Sequence, residues 1–281
     1  MIPPEHARPP RGSARGFSRA WEGVRLWVDG AHAPAENMAR DRALLAAASD
    51  PGFAPVLRLF RFAPHGITLG HAQAPERELD LQRCRRDGVP WAVRPTGGRA
   101  IFHAEEWTYS FATPLAAAAG AGTLADLHRR VAELIVASLV DLGVEARLAP
   151  DGIGRPPAPR PRGPGGAAPP CFASTSRHEI VRAGRKLVGS AQRRTASAAL
   201  QQGSVLLGGG HLRLADYAAV PDAARPGLRA ALAAATAHAG DHVGPDAPLE
   251  RWAASLAALL PAGTIRLDGA EGLDLLARVV S

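Results

Sequence analysis

The chain contains one lysine, Lys186, among 33 lysine and arginine residues, and Cys171, one of its two cysteines, lies fifteen positions earlier in CFASTSRHEIVRAGRKLVGSAQRR. A thiol and an amine brought together make a nucleophile and a proton carrier, because a nearby ammonium lowers the thiol pKa and can protonate a leaving group. The plainer alternative makes Cys171 a small buried hydrophobe and Lys186 a strand-end charge. What favours chemistry is that a lysine persists where every other strongly basic residue is arginine, since an ammonium can give up its proton and a guanidinium does not. A hairpin lysine is expected to contribute modestly to stability. Cys84, in the polar stretch LQRCRRDG, is assigned no role.

A second segment, RPTGGRAIFH from Arg94 to His103, sets the pair Gly97 and Gly98 between two expected strands. Paired glycines let backbone amides approach a ligand, and Arg94 and Arg99 beside them would favour an anionic group. Taken alone, the loop reads first as a hairpin with exposed arginines, and His103 as an ordinary strand histidine. The two cysteines form no CxxC pair and the ten histidines no HxxxH spacing, so no metal site is expected. No GxGxxG or Walker loop is present.

The elements that must position these residues follow from apolar periodicity. ENMARDRALLAAA from Glu36 to Ala48 predicts a buried helix, and Leu124 to Leu142, opened by Thr123 and Asp126, a second one. Strands are expected at Pro55–Phe62, Ile67–His71, Pro90–Val93, Ala100–His103 and Trp107–Ala112. In the last, Trp107, Tyr109 and Phe111 alternate with Thr108, Ser110 and Ala112, as in a strand with one buried face. Glu179–Val181 and Lys186–Val188 flank a turn and predict a hairpin, and Val205–Leu207 a last strand. The pattern is that of an α+β domain with a mixed sheet. Residues 1–20 are expected as a disordered Arg/Pro-rich arm, 21–210 as the catalytic domain with a flexible loop at 154–170, and 211–281 as a small helical C-terminal region.

With 46% apolar and 21% charged residues the chain can bury a sizeable core. No apolar run reaches a membrane span and the first twenty residues lack a secretory core, so a cytoplasmic location is expected. The net charge of +7 favours acidic partners. Scattered arginines without an aromatic and basic motif argue against nucleic acid.

RPTGGRAIFHAEEWTYSFATP (Arg94–Pro114) resembles the substrate-pocket motif of the biotin/lipoate A/B protein ligase family, and GRKLVGSAQRR with LQQGSVLL (Gly184–Leu207) resembles its second motif. ENMARDRALL and ITLGHAQ also fit, so the resemblance runs from about Trp21 to Gly208. PCFASTSRHEI is similar to the cysteine segment of the family's octanoyltransferase branch. The resemblance implies the family's mixed-sheet fold and an acyl transfer in which Cys171 takes octanoate from acyl carrier protein and delivers it to a lysine of a lipoyl-domain protein, such as glycine cleavage H protein or a dehydrogenase E2 subunit. Lys186 is then the motif lysine, and Arg94, Thr96, Gly97, Gly98, Arg99, His103, Gly189, Ser190 and Ala191 the substrate-binding residues. Ile101 and Phe102 are expected beside the acyl chain. No cofactor is implied. ATP and magnesium would enter only for the family's other branch, the ATP-dependent lipoate ligases, which share the pocket. A noncatalytic binder of acyl chains or acidic proteins remains a third reading. One departure stands out: where the family often has LQHGS, this chain has Gln201, Gln202 and Gly203.

Overall fold

The computed structural model describes residues 21–118, 123–149 and 179–280. The expected arm at 1–20, the loop at 154–170 and Cys171 lie outside the described residues. Among the described residues, eleven strands form two sheets. The larger has the order β11-β1-β2-β6-β10-β9-β8-β7 and the smaller β4-β3-β5.

The larger sheet comprises β1 (Arg25–His32), β2 (Val56–Phe62), β6 (Glu106–Pro114), β7 (Arg147–Leu148), β8 (Ile180–Arg182), β9 (Arg185–Arg194), β10 (Ala198–Leu206) and β11 (Ile265–Leu267). β11, β1 and β2 run parallel, and from β2 onward every pairing is antiparallel. The fold is therefore α+β with a mixed sheet, as the interspersed pattern predicts. β3 (Gly66–Leu69), β4 (Trp91–Val93) and β5 (Ile101–His103) form the smaller sheet.

Among the described residues, five helices longer than ten residues pack on these sheets: α1 (Pro34–Ala47), α2 (Leu124–Asp141), α3 (Arg225–Ala235), α4 (Leu249–Leu259) and α5 (Gly269–Val280). α2 opens with the expected capping box, Thr123 Oγ1 accepting from Asp126 N while Asp126 Oδ2 accepts from Thr123 N. Leu127, Val131, Leu134, Ile135 and Leu139 of α2 join Trp252 and Leu256 of α4 against Trp107, Tyr109 and Phe111 of β6. Trp107 and Trp252 stack with centroids 5.4 Å apart.

All nine residues of β6 are buried, although its alternation predicts one buried face. Its small and polar residues do not meet water. They face α1 and an internal cleft, where Ser110 Oγ donates to Asp41 and Thr108 Oγ1 to Glu106. Alternation thus separates an apolar core face from a polar internal face.

Residues 211–280 are built into the domain. α4 belongs to the main core, and β11 extends the larger sheet beside β1. Gly272 of α5 lies so close to Trp27 that a Cβ would stand 2.0 Å from its ring. The strand β1 itself escaped the periodicity reading. No described helix is long and apolar enough to cross a membrane.

Candidate active site

The hairpin carrying Lys186 turns through Ala183 and Gly184, at φ 48° and 74°. Two consecutive left-handed residues are the signature of the tight turn that matches strand twist. β9 leaves this turn with Lys186 on its second residue and Gly189, Ser190 and Ala191 three to five residues further, roughly 10–17 Å along the strand. Lys186 is 4% exposed and its Nζ donates to Glu179 Oε1 at 2.6 Å, with Glu179 also 4% exposed. This corrects the expectation of an energetically modest hairpin lysine, because a buried ion pair is costly to break. A segment of the C-terminal half covers the strand here, Ala237 N donating to the carbonyl of Lys186 at 2.9 Å.

The TGG loop is held by its own arginine. Arg94 Nε and Nη2 donate to Gly97 O at 3.1 and 2.8 Å, Nη2 also to Arg99 O at 2.8 Å, and Nη1 to Thr68. Arg94, expected to offer charge to an anion, is 7% exposed and turned onto the loop. Gly98 has φ +90°, and a Cβ on Gly70 would stand 2.0 Å from Gly98 O, so both positions require glycine.

From Thr68 a hydrogen-bonded chain runs on. Thr68 Oγ1 lies 2.7 Å from His103 Nε2, and His103 Nδ1 lies 2.6 Å from Glu106 Oε1. Arg94 Nη1 also donates to Thr68 Oγ1, and the Glu106 carboxylate accepts from His103 Nδ1–H. Glu106 Oε1 also accepts from Thr108 and Ser204. Phe62 stacks on His103 at 3.8 Å.

These residues border a small, partly open cleft of about 50 Å³ lined by Met38, Phe62 and Ile101, by Arg94, Thr96, His103 and Thr108, and by Gly189–Ala191 of β9 and Gln202–Ser204 of β10. Of the expected site residues, Arg94, Thr96, His103, Gly189, Ser190 and Ala191 line it. Gly97, Gly98 and Arg99 shape the neighbouring loop, Phe102 is buried in a separate cluster with Tyr217, and Lys186 stands further along β9. A larger groove around Leu212, Asp216, Arg225 and Arg229 is open surface and contains none of them.

Several contributors were not named from sequence. Glu179 and Glu106 sit next to expected residues and are signalled only by being acidic. Arg58 is fully buried, donating to Asp29 Oδ2 at 2.6 Å, Asp41 Oδ1 at 2.8 Å and Asn37 Oδ1 at 2.6 Å behind the cleft. Tyr109 Oη lies 2.9 Å from Ser190 Oγ, and burial pushes its pKa up. Burial also raises the Cys84 thiol, with Asp80 and Asp87 adding to the effect, so Cys84 is a poor thiolate. Among the described residues no group of three or more His, Cys, Asp or Glu side chains is placed to hold a metal ion.

A mixed sheet carrying a narrow cleft, with apolar residues on one side and a glycine-shaped loop at its rim, defines a catalytic domain of the lipoate protein ligase type. The chain belongs to the lipoyl protein ligase A/B catalytic domain family, whose model matches residues 33–235. It is 39% identical over 184 residues to "Octanoyltransferase LipM" of Kyrpidia tusciae and 31% over 177 residues to that of Staphylococcus aureus. These alignments cover 65% and 63% of both partners, so the match spans just under two thirds of the relatives' own length. Among solved structures, the bipartite lipoate protein ligase of Thermoplasma acidophilum superposes with TM-score 0.65 at 20% identity, covering 91% of both chains. Lipoate-protein ligase A bound with ATP gives 0.63 at 20%, covering 91% of this chain and 93% of that one. At such identity these two establish the fold alone.

Proposed function

We propose that the protein is an octanoyltransferase that takes an octanoyl group from an acyl carrier protein thioester onto Cys171 and passes it to a lysine of a lipoyl-domain protein. The observation that carries this reading is the place of Lys186: the chain's one lysine is buried against Glu179 on the strand whose residues three to five positions further on wall the cleft. The octanoyltransferase relatives favour this branch over the ATP-dependent ligases.

In the first step the Cys171 thiolate attacks the donor carbonyl carbon, and collapse of the tetrahedral intermediate expels the carrier thiolate, which takes up a proton. In the second, the neutral acceptor amine attacks the Cys171 thioester, the C–N bond forms as the C–S bond breaks, and the proton lost from nitrogen restores the thiol. No nucleotide enters this balance, because the thioester already supplies the activation. Lys186 is the proton carrier between sulfur and nitrogen, and Glu179 orients it. The oxyanion needs donors, and among the described residues β9 has no strand on its outer side beyond Val188, which leaves the outward amides at Gly189–Ala191 outside any strand pairing on that side. The +7 charge suits acidic carrier and lipoyl domains.

Incubation with octanoyl carrier protein alone tests the cysteine step. An octanoyl adduct on Cys171, released by hydroxylamine, retained in Cys84→Ser and lost in Cys171→Ser, is expected. Labelling of Cys84, or acylation only with free octanoate and ATP, would overturn the proposal.

A further inference from the structure

Gln202 is where this chain departs from the LQHGS pattern, and the fold gives that side chain a defined task. It is 7% exposed and lines the cleft from β10. Its Nε2 donates to Asp41 Oδ2 at 2.5 Å, and its Oε1 accepts from Thr96 Oγ1 at 2.5 Å. Reversing the amide would set its oxygen against a carboxylate, so the partners fix the orientation. Asp41 is anchored in turn, its Oδ1 accepting from Arg58 Nη1 and from Ser110 Oγ. Arg58 also holds Asp29, which Arg40 neutralises from the other side. On the far side, Thr96 O accepts from His71 N, at the base of the loop that Arg94 organises. Gln202 is thus the one described side chain that hydrogen-bonds both the substrate loop and the buried ion network of α1 and β2.

We infer that Gln202 is a positioning residue for the acyl cleft, holding Thr96 and its loop against β10 through a donor and acceptor pair that only an uncharged side chain supplies. The charged and titratable groups around it are Asp41, with Arg58, Asp29 and Arg40 behind it, and Arg94 and the His103–Glu106 pair across the same cleft, while Met38 Sδ lies 3.6 Å from its amide nitrogen. A neutral histidine offers the same pair, one ring nitrogen donating to Asp41 and the other accepting from Thr96. Glutamate offers it only when protonated, and the Asp41 carboxylate beside it raises the pH at which it loses that proton. The inference rests on the cleft being the acyl site of the proposed transferase.

Gln202→His, Gln202→Glu and Gln202→Met test it with two readouts across pH: single-turnover octanoyl transfer relative to wild type at each pH, and the rise in melting temperature that octanoyl-pantetheine causes. His should stay within a few-fold of wild type. Met should lose roughly ten- to a hundredfold in the single-turnover transfer rate at every pH, as expected for a lost charge-assisted hydrogen bond. Glu should lose as much at high pH and recover as the pH falls, and the ligand-induced melting shift should follow the same order. A folded Glu variant that matches wild type at all pH, or is impaired equally at all pH, overturns the inference. If wild type transfers nothing without a nucleotide, the function proposal fails, and the melting shifts alone then decide the role of Gln202 by the same pattern.

Discussion

Lys186→Ala should destabilise the protein far more than a hairpin lysine ordinarily would. Lys186 and Glu179 are each 4% exposed and joined at 2.6 Å. Removing one partner of a buried pair costs on the order of 3–5 kcal/mol, because the remaining charge stays out of water. In a domain of this size each kcal/mol moves the melting temperature by about 2–4 °C, so Lys186→Ala should melt roughly 6–20 °C lower. Replacing both partners by apolar residues, as in Lys186→Met with Glu179→Leu, should recover most of that loss, since neither charge of the pair is then left buried. Lys186→Arg separates stability from chemistry. The guanidinium still meets Glu179, at a cost of about 1–3 kcal/mol for its extra bulk, whereas octanoyl transfer should fall by roughly 10²- to 10⁴-fold because arginine does not release a proton. Calorimetric melting and single-turnover transfer on the same four preparations provide both readings. A loss below about 1 kcal/mol in Lys186→Ala with no recovery in the double variant would refute the buried-pair argument, and near-normal transfer by Lys186→Arg would refute the proton role.

Two further outcomes follow from packing and burial. In Gly203→Ala the new methyl would stand 2.4 Å from the buried Tyr109 ring, so urea unfolding should show a loss of about 1–3 kcal/mol; an unchanged midpoint would mean that Tyr109 can move. Burial holds the His211 imidazole below its ordinary value, outweighing the opposing hydrogen bond to Gly208. The unfolded chain therefore takes a proton near pH 6.5 that the folded one resists, and stability should fall as the pH drops through that value. His211→Gln should flatten this part of the profile, and an identical slope in both proteins would exclude His211 as its source.

The secondary structure around the site was largely legible because its signals are local. Thr123 and Asp126 announce a helix start within four residues, and the turn at Ala183 and Gly184 announces a hairpin. The polar network was not. Arg58 sits in VLRLFRF and reads from sequence as the exposed member of a strand, yet it is buried because Asp29 and Asp41, 29 and 17 positions earlier, meet it through the fold. β6 was half legible: alternation separates its two faces, but only the packing of α1 decides that the Thr108 and Ser110 face lines an internal cleft instead of meeting solvent. Arg94 follows the same logic, since a charge beside a glycine loop suggests an anion until the carbonyls of Gly97 and Arg99 are seen to take its donors. Gln202 announced itself only as a departure from a pattern. Its meaning comes from Asp41 and Thr96, 161 and 106 residues away in the chain.

Transfer of an acyl group already activated as a thioester can be followed in a single assay. Purified protein is mixed with octanoyl acyl carrier protein and an apo lipoyl domain in the absence of any nucleotide, and the lipoyl domain is followed by intact mass. The lipoyl domain should gain the mass of one octanoyl group on its lysine, a gain abolished in Cys171→Ser. A lipoyl domain that stays unmodified until ATP and free octanoate are added would contradict transfer from the thioester.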